Sequence, residues 1–221
     1  MNLIIGVEGT DGSGKYTQCS KLYERLTSQG YKCKIQSFPC YDSPSSSPVK
    51  MYLGGEFGDK ATCLDAYQSS VLFAVDRLCT MEILKKENYD VLILDRYTQS
   101  NMIHQACKIK DKEERLKFLN WLNSFEFETL KLPKPDIVFF LDMPVEKSKA
   151  LANARENLKA GTKKDIHEND KEHLMFAYNT GKEVSLMYGW KEISCVDDEN
   201  EIKSIQQISD DIYEIVIKYL N

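Results

Sequence analysis

The sequence predicts a doubly wound α/β fold, in which a parallel five-stranded sheet is flanked by helices. Short apolar runs without polar alternation are typical of strands that are buried on both faces. These runs cover residues 3–7, 34–38, 91–94, 137–141 and 192–196. Between them lie longer stretches with helical spacing of apolar residues, the clearest at 18–29, 66–86, 116–127 and 205–220. Because strands and helices alternate along the chain, we expect a single domain over residues 1–221.

Composition and charge exclude several classes of function. With 221 residues, 42% of them hydrophobic, the chain can bury one sizeable core. Lys and Arg total 29 against 34 Asp and Glu, so nothing favours nucleic acid as a partner. No apolar run approaches the roughly 18 residues that a membrane helix needs. Seven scattered cysteines without a C-x-x-C pair, and a first strand without a basic leader, predict free thiols in a cytoplasmic protein.

The first strand leads into a glycine-rich turn that precedes a helical stretch. In such a turn, successive backbone N–H groups point at phosphate oxygens, and the next helix adds the positive end of its dipole. We therefore predict a P-loop that binds ATP, with Lys15 reaching the outer phosphates. The expected ATP contacts are Gly9, Thr10, Asp11, Gly12, Ser13, Gly14, Lys15, Tyr16 and Thr17. The fold is accordingly expected to be of the P-loop NTPase type.

Tyr16 departs from the P-loop pattern, which has Ser or Thr after the lysine to help hold magnesium. A phenol lies too far from its own backbone to occupy that coordination position. Three interpretations remain: Thr17 or a water substitutes, carboxylates hold the metal, or phosphoryl transfer is impaired. We favour carboxylates, because Glu8, Asp11 and Asp95 all lie near strand ends.

Asp95-Arg96-Tyr97 directly follows the strand at 91–94. Ligands of open α/β sheets gather at the carboxyl ends of the strands, so this tripeptide is expected to face the same crevice as Lys15. Asp95 can orient a metal or its waters, and Arg96 can neutralise a transferring phosphate. A surface ion pair at a strand end is the alternative interpretation.

Two further segments interrupt the alternation of strands and helices. Residues 40–48 are rich in Ser and Pro and are predicted to form a loop. Residues 159–164 form a basic, glycine-containing break between two helical stretches. Strand and helix continue beyond both segments, so neither is expected to be a linker between domains.

Several motifs together resemble those of thymidylate kinases, including bacterial members, in order and spacing. They are the P-loop with Glu8 before it, Phe38-Pro39, Phe73 with Arg77, Asp95-Arg96-Tyr97 with Ser100, and the lid-like sequence Asp165-Ile166-His167-Glu168. The resemblance implies direct in-line transfer of the terminal phosphate from ATP-Mg²⁺ to dTMP, without a covalent enzyme intermediate. It also implies a homodimer and a mobile lid over approximately residues 155–168.

The resemblance assigns roles to individual residues. Phe73 would stack on the pyrimidine, Arg77 would bond a carbonyl of the base, and Asp11 would contact the sugar 3′-hydroxyl or the metal. His104 falls where family members place a bulky ring that disfavours a ribose 2′-hydroxyl. The remaining expected acceptor contacts are Phe38, Pro39, Leu53, Arg96, Ser100, Asn101 and Gln105. Without the resemblance, Phe73 would be read as a core residue and Arg77 as a solvated cation.

The lid is expected to supply catalytic charge. Some family members carry an arginine within the P-loop, where this chain has Gly12. The resemblance therefore favours cations from the lid, with Arg155 ahead of Lys159, Lys163 and Lys164 because guanidinium matches phosphate geometry. The expected catalytic set is Lys15, Arg96, Asp11 and Arg155. Two other functions stay open: another nucleoside or nucleotide kinase, and a non-catalytic nucleotide-binding protein suggested by Tyr16.

Overall fold

A five-stranded parallel sheet forms the centre of the computed structural model, which describes residues 2–158 and 171–220 and all of their side chains except those of 153–158, 171 and 172. The strands are β1 (Leu3–Glu8), β2 (Cys33–Ser37), β3 (Val91–Asp95), β4 (Ile137–Asp142) and β5 (Lys191–Ser194). Their spatial order is β2-β3-β1-β4-β5, and every pair is parallel. The predicted parallel five-stranded sheet is confirmed, and β1 lies at its centre.

Helices cover both faces of the sheet. They are α1 (Lys15–Ser28), α2 (Ser47–Leu53), α3 (Ala66–Leu84), α4 (Thr98–His104), α5 (Lys112–Asn123), α6 (Val145–Leu158), α7 (Lys171–Tyr188) and α8 (Ile205–Leu220). Short 3-10 turns occur at Pro44–Ser46 and Ala106–Lys108, and a π-helical segment at Ser124–Thr129. Within the described ranges, no helix combines the length and the apolar character required to cross a bilayer.

The two faces of β3 explain why its sequence is apolar throughout. Side chains of a strand alternate between faces. Val91 and Ile93 pack into the core shared with α1 and α8, whereas Leu92 and Leu94 pack into the core beneath α3. All four are fully buried. A strand covered by helices on both sides has no solvent-facing positions, so polar alternation is absent.

The predicted loop at residues 40–48 is wrong from residue 44 onward. A 3-10 turn occupies Pro44–Ser46, and α2 begins at Ser47. Buried Asp76 of α3 holds this segment, since its carboxylate accepts hydrogen bonds from the Cys40 backbone N–H (2.7 Å) and the Ser45 hydroxyl (2.7 Å). Proline is tolerated in the first turn of a helix. Ser and Pro therefore mark the start of two short helices here.

The predicted break at residues 159–164 and most of the predicted lid lie outside the described residues. Helix α6 extends to Leu158, so the first residues of the predicted lid are helical. Arg155 lies in that last turn, and its side chain is outside the described part of the chain. The lid cations Lys159, Lys163 and Lys164 lie outside it as well.

Candidate active site

The turn between β1 and α1 is a tight glycine-containing loop. Gly9 and Gly12 have positive φ angles of 149° and 80°, which side-chain-bearing residues rarely adopt. A Cβ at Gly12 would also lie 2.1 Å from the backbone oxygen of Ser148. The loop therefore requires glycine at this position for both its backbone conformation and its close approach to α6.

Lys15, the first residue of α1, is folded over this loop. Its ammonium group donates hydrogen bonds to the backbone oxygens of Gly9 (3.0 Å) and Thr10 (2.8 Å). Burial, and next the charge of Arg96, lower the pKa of Lys15 to about 8. The buried hydroxyls of Thr10 and Ser13 have no hydrogen-bond partner among the described residues. The loop thus gathers a cation and two unpartnered hydroxyl groups.

At the end of β3, the chain makes a turn with an unusual backbone. Arg96 has a φ of 67°, which is uncommon for a residue other than glycine. Glu8 braces this turn, because its carboxylate accepts hydrogen bonds from the Tyr97 backbone N–H (2.7 Å) and the Ser100 hydroxyl (2.6 Å). Backbone conformations of this kind persist where the surroundings hold them, and they cluster at functional sites.

The Arg96 guanidinium lies between the P-loop and α4. It forms an ion pair with Asp11, and its Nη1 lies 3.3 Å from Nε2 of His104. Burial, and next the charge of Arg96, lower the pKa of His104 well below its usual value. His104 is therefore neutral, and its ring stacks on His173 with 6.1 Å between centroids.

The three predicted metal-binding carboxylates differ in their contacts. Both oxygens of Glu8 accept hydrogen bonds from the protein, and burial raises its pKa to about 7. Asp11 pairs with Arg96. In Asp95, Oδ2 accepts a 3.2 Å hydrogen bond from the Ser37 hydroxyl, while buried Oδ1 has no partner among the described residues. An orphaned carboxylate oxygen fits a divalent cation or its water.

These carboxylates do not form a complete metal cage. Within residues 2–158 and 171–220, no three His, Cys, Asp or Glu side chains gather closely enough to hold a metal. Magnesium usually takes only one or two protein carboxylates and completes its octahedron with waters and phosphates. A single protein carboxylate therefore suffices for a nucleotide-bound magnesium ion.

A cavity of about 310 Å³ opens beside the P-loop at the carboxyl ends of the strands. Every residue that the sequence assigned to the acceptor site lines it, and Asp95 and His104 do as well. The lining is Asp11, Ser37, Phe38, Pro39, Tyr41, Leu53, Phe73, Arg77, Asp95, Arg96, Tyr97, Ser100, Asn101, His104 and Gln105. Ser37, Tyr41 and Tyr97 were not among the residues expected at the acceptor site, although each adjoins or closely follows a predicted motif.

Two amides on the cavity wall bond neighbouring groups. Asn101 donates through Nδ2 to the Ser70 backbone oxygen at 3.3 Å. Gln105 lies with Oε1 2.7 Å from the Ser69 hydroxyl, which also contacts the Asp65 backbone oxygen at 2.6 Å. Because the Asn101 amide nitrogen is held by a carbonyl, its amide oxygen remains as an acceptor for a ligand.

Arg77 is buried, which excludes its interpretation as a solvated cation. It is 1% exposed and forms a bidentate pair with Glu126, with Nη2–Oε1 2.6 Å and Nε–Oε2 2.7 Å apart. Its Nη1 lies 3.4 Å from the Tyr97 backbone oxygen. Sequence reasoning missed Glu126, since it read as one acid within a helical pattern.

A second, larger cavity of about 600 Å³ lies away from this chemistry. Asp136, Ile137 and Lys191 line it, so it adjoins the amino ends of β4 and β5. In open α/β sheets ligands bind beyond the carboxyl ends of the strands. The smaller cavity, which adjoins the P-loop, is therefore the candidate active site.

The parallel sheet, the glycine loop with Lys15 and the adjoining cavity define a P-loop kinase of small phosphorylated molecules. The family model described as thymidylate kinase matches residues 7–200. The chain belongs to the thymidylate kinase family, and it is accordingly a transferase of the nucleotide kinase class.

Individual relatives agree with this family membership. A thymidylate kinase of Mycobacterium tuberculosis (strain CDC 1551 / Oshkosh) is 32% identical over 173 residues, covering 77% of this chain and 79% of that protein. A probable thymidylate kinase of Sulfolobus acidocaldarius is 28% identical over 219 residues, covering 99% of this chain and 98% of that protein. The resemblance thus extends to archaeal members. A structure of thymidylate kinase from Candida albicans superposes on this chain with a TM-score of 0.73 and 21% sequence identity, covering 99% of this chain and 92% of that one. At this identity the similarity supports the fold alone.

Proposed function

We propose that this enzyme transfers the terminal phosphate of ATP directly to the 5′-phosphate of dTMP, forming dTDP. The observation that carries the proposal is the convergence of all the expected acceptor residues on one cavity beside the P-loop. The acceptor phosphate is already an anionic nucleophile, so positioning and charge neutralisation account for catalysis.

The P-loop side of the site fits a triphosphate. Lys15 bonds two backbone oxygens of the loop, and phosphate oxygens are stronger acceptors for its ammonium group. The unpartnered hydroxyls of Thr10 and Ser13 supply further donors. Tyr16 is 60% exposed, so its phenol extends to solvent and leaves the loop unobstructed. This arrangement favours turnover over the non-catalytic alternative.

Asp95 is the residue that we assign to Mg²⁺ or to its waters, with Asp11 and Glu8 as weaker candidates. The orphaned Oδ1 of Asp95 supports this assignment, whereas Asp11 is paired with Arg96 and Glu8 braces the turn. When bound with ATP, the ion neutralises charge on the transferring phosphates. Asp95 therefore serves to orient the nucleotide's metal.

The donors and acceptors of the cavity fit thymine. Thymine presents a donor at N3 and an acceptor at O4 along one edge. The free acceptor of Asn101 matches N3–H, and Arg77, which lines the same cavity, offers a donor for O4. Cytosine reverses both groups, so it would set an acceptor against the Asn101 oxygen and a donor against the Arg77 guanidinium. Phe73, half-buried on the same wall, offers a face for stacking.

The phosphate end of the cavity is marked by cations. Arg96, held by Asp11, is placed to neutralise charge on the group in transfer. Arg155 on α6 is the proposed lid cation, with Lys159, Lys163 and Lys164 as alternatives. A lid over approximately residues 155–168 that closes on the substrates would exclude water and protect ATP from hydrolysis.

A homodimer is the proposed assembly, and α3 is its proposed interface. Tyr67, Val71, Val75 and Ile83 are exposed apolar residues of α3, and with exposed Cys79 they form a single i, i+4 ridge along the helix. A continuous apolar stripe on a single helix suits burial against a second copy. Light scattering should give twice the chain mass, and Ile83→Asp should give monomers; a monomeric wild type would contradict the interface.

The cytoplasm is the proposed location. All seven cysteines lie within the described residues, and all are free thiols. Disulfides are characteristic of oxidising compartments.

A panel assay tests the proposed function. Purified enzyme is supplied with ATP, magnesium and, in separate reactions, dTMP, dUMP, dCMP, dGMP and thymidine, and ADP and product are measured. We expect dTDP from dTMP, weaker use of dCMP because its N3 is an acceptor that would face the Asn101 oxygen, and none of thymidine because it lacks the nucleophilic phosphate. Equal turnover of dCMP, or phosphorylation of thymidine alone, would point to a different nucleotide or nucleoside kinase.

A further inference from the structure

Glu126 is a buried acid that does not line the acceptor cavity but contacts Arg77, which does. It lies in the π-helical segment Ser124–Thr129, is 0% exposed, and is absent from the cavity lining. We propose that Glu126 is a positioning residue for the base of the acceptor: it orients the Arg77 guanidinium so that a single edge faces the pyrimidine. This inference rests on the proposed dTMP acceptor site.

The geometry of the pair leaves Arg77 little freedom. Glu126 occupies Nε and Nη2 of Arg77 at 2.7 and 2.6 Å, in the bidentate arrangement that fixes both the position and the plane of a guanidinium. Nη1, with its longer 3.4 Å contact to the Tyr97 backbone oxygen, remains as the edge for a ligand. Arg77 itself lines the cavity. The carboxylate therefore determines which Arg77 donor can reach a base carbonyl.

Glu126 also connects two walls of the base subsite. Its Oε2 accepts a 2.7 Å hydrogen bond from the Thr98 hydroxyl at the start of α4. Arg77 belongs to α3, whereas Asn101 lies one turn after Thr98 on α4. One buried carboxylate thus fixes the helix that carries Arg77 relative to the helix that carries Asn101.

The charge of Glu126 makes the two ends of the cavity electrostatically different. A buried guanidinium without a counter-ion would attract the acceptor phosphate to the base end. Paired with Glu126, Arg77 contributes no net charge there, while the Lys15 ammonium group, which bonds neutral backbone oxygens, lies at the phosphate end. The acceptor then has one favourable orientation, with its phosphate toward the P-loop.

The variant Glu126→Gln tests this role, because it preserves size and removes the charge. Loss of a charge-assisted contact predicts a KM for dTMP that rises roughly tenfold to a hundredfold. The KM for ATP should not change. The inhibition constant of 2-deoxyribose 5-phosphate should not rise, since this compound has no base and the unpaired Arg77 could only attract its phosphate. A general structural defect would raise all three constants. Glu128→Gln is the matched control, since Glu128 is an exposed acid in the same segment and accepts a hydrogen bond from the nearby Ser124 hydroxyl.

The outcomes separate this inference from the proposed function. A wild-type enzyme that does not phosphorylate dTMP would overturn the proposed function. An active wild type together with a folded Glu126→Gln variant of unchanged KM for dTMP would overturn only the role of Glu126. Equal weakening of dTMP and 2-deoxyribose 5-phosphate would overturn it as well.

Thr98→Val decides the matter if Glu126→Gln does not fold. Valine is isosteric with threonine and removes only the hydroxyl contact to Oε2 of Glu126. A rise of about threefold to tenfold in the KM for dTMP, with unchanged binding of 2-deoxyribose 5-phosphate, supports the inference. An unchanged KM for dTMP overturns it.

Discussion

Glu8 should make the stability of the enzyme decrease as the pH rises toward neutrality. The carboxyl is fully buried, and burial raises its pKa from the ordinary value of 4.5 to about 7, although the hydrogen bond from Ser100 partly opposes the rise. Between these values the folded state retains a proton that the unfolded state has released. The free energy of unfolding therefore falls with rising pH, by about 1.4 kcal/mol per unit of pKa difference, or about 3 kcal/mol in total.

The comparison of wild type with Glu8→Gln isolates this effect, because glutamine cannot ionise. Urea denaturation from about pH 5 to about pH 8 gives the free energy of unfolding of each protein. The difference should shift in favour of the variant by about 2–3 kcal/mol over this range. Glu24→Gln, at an exposed position, should show no such shift. Parallel curves for wild type and Glu8→Gln would refute the reasoning.

Three further predictions concern the P-loop. Lys15→Ala should lower dTMP-dependent ADP formation by about a thousandfold or more, with an unchanged circular dichroism spectrum; retained turnover would reject the assigned role. Gly12→Ala should lower the free energy of unfolding by about 2–4 kcal/mol, because its Cβ would meet the Ser148 backbone oxygen at 2.1 Å. Gly30→Ala is its control, with a φ of 95° but open space around the Cβ, so an equal loss would argue against the contact. Tyr16→Thr should leave the magnesium-dependent rate unchanged or raise it, since Tyr16 is exposed; a slower enzyme would contradict this.

Much of the fold could be predicted because its determinants are local in the sequence. The apolar runs at 91–94 and 137–141 lie within β3 and β4, and the helix at 205–220 matches α8. Helical spacing alone predicted a helix at 116–127, whose start lies four residues after the observed start of α5. It begins at Lys112, where the Asp111 carboxylate accepts a 2.9 Å hydrogen bond from the Glu114 backbone N–H, and it becomes π-helical at Ser124.

The metal-binding prediction shows where sequence reasoning stopped. Glu8, Asp11 and Asp95 are equivalent candidates in the sequence, because each lies near the end of a strand. In the structure, Glu8 bonds the turn after β3, Asp11 pairs with Arg96, and Asp95 keeps a buried oxygen without a partner among the described residues. Distinguishing them requires partners that are distant in the chain.

The sequence by itself determined the parallel α/β architecture and the phosphate-binding loop, since periodicity and short motifs encode them. The resemblance to thymidylate kinases indicated which residues would line the acceptor cavity. Only the tertiary structure decided how those residues are oriented. The Glu126–Arg77 pair joins residues 49 positions apart, and the contact from Asn101 to the Ser70 backbone oxygen spans 31. Hydrogen-bond direction and burial depend on such non-local contacts, which no local pattern specifies.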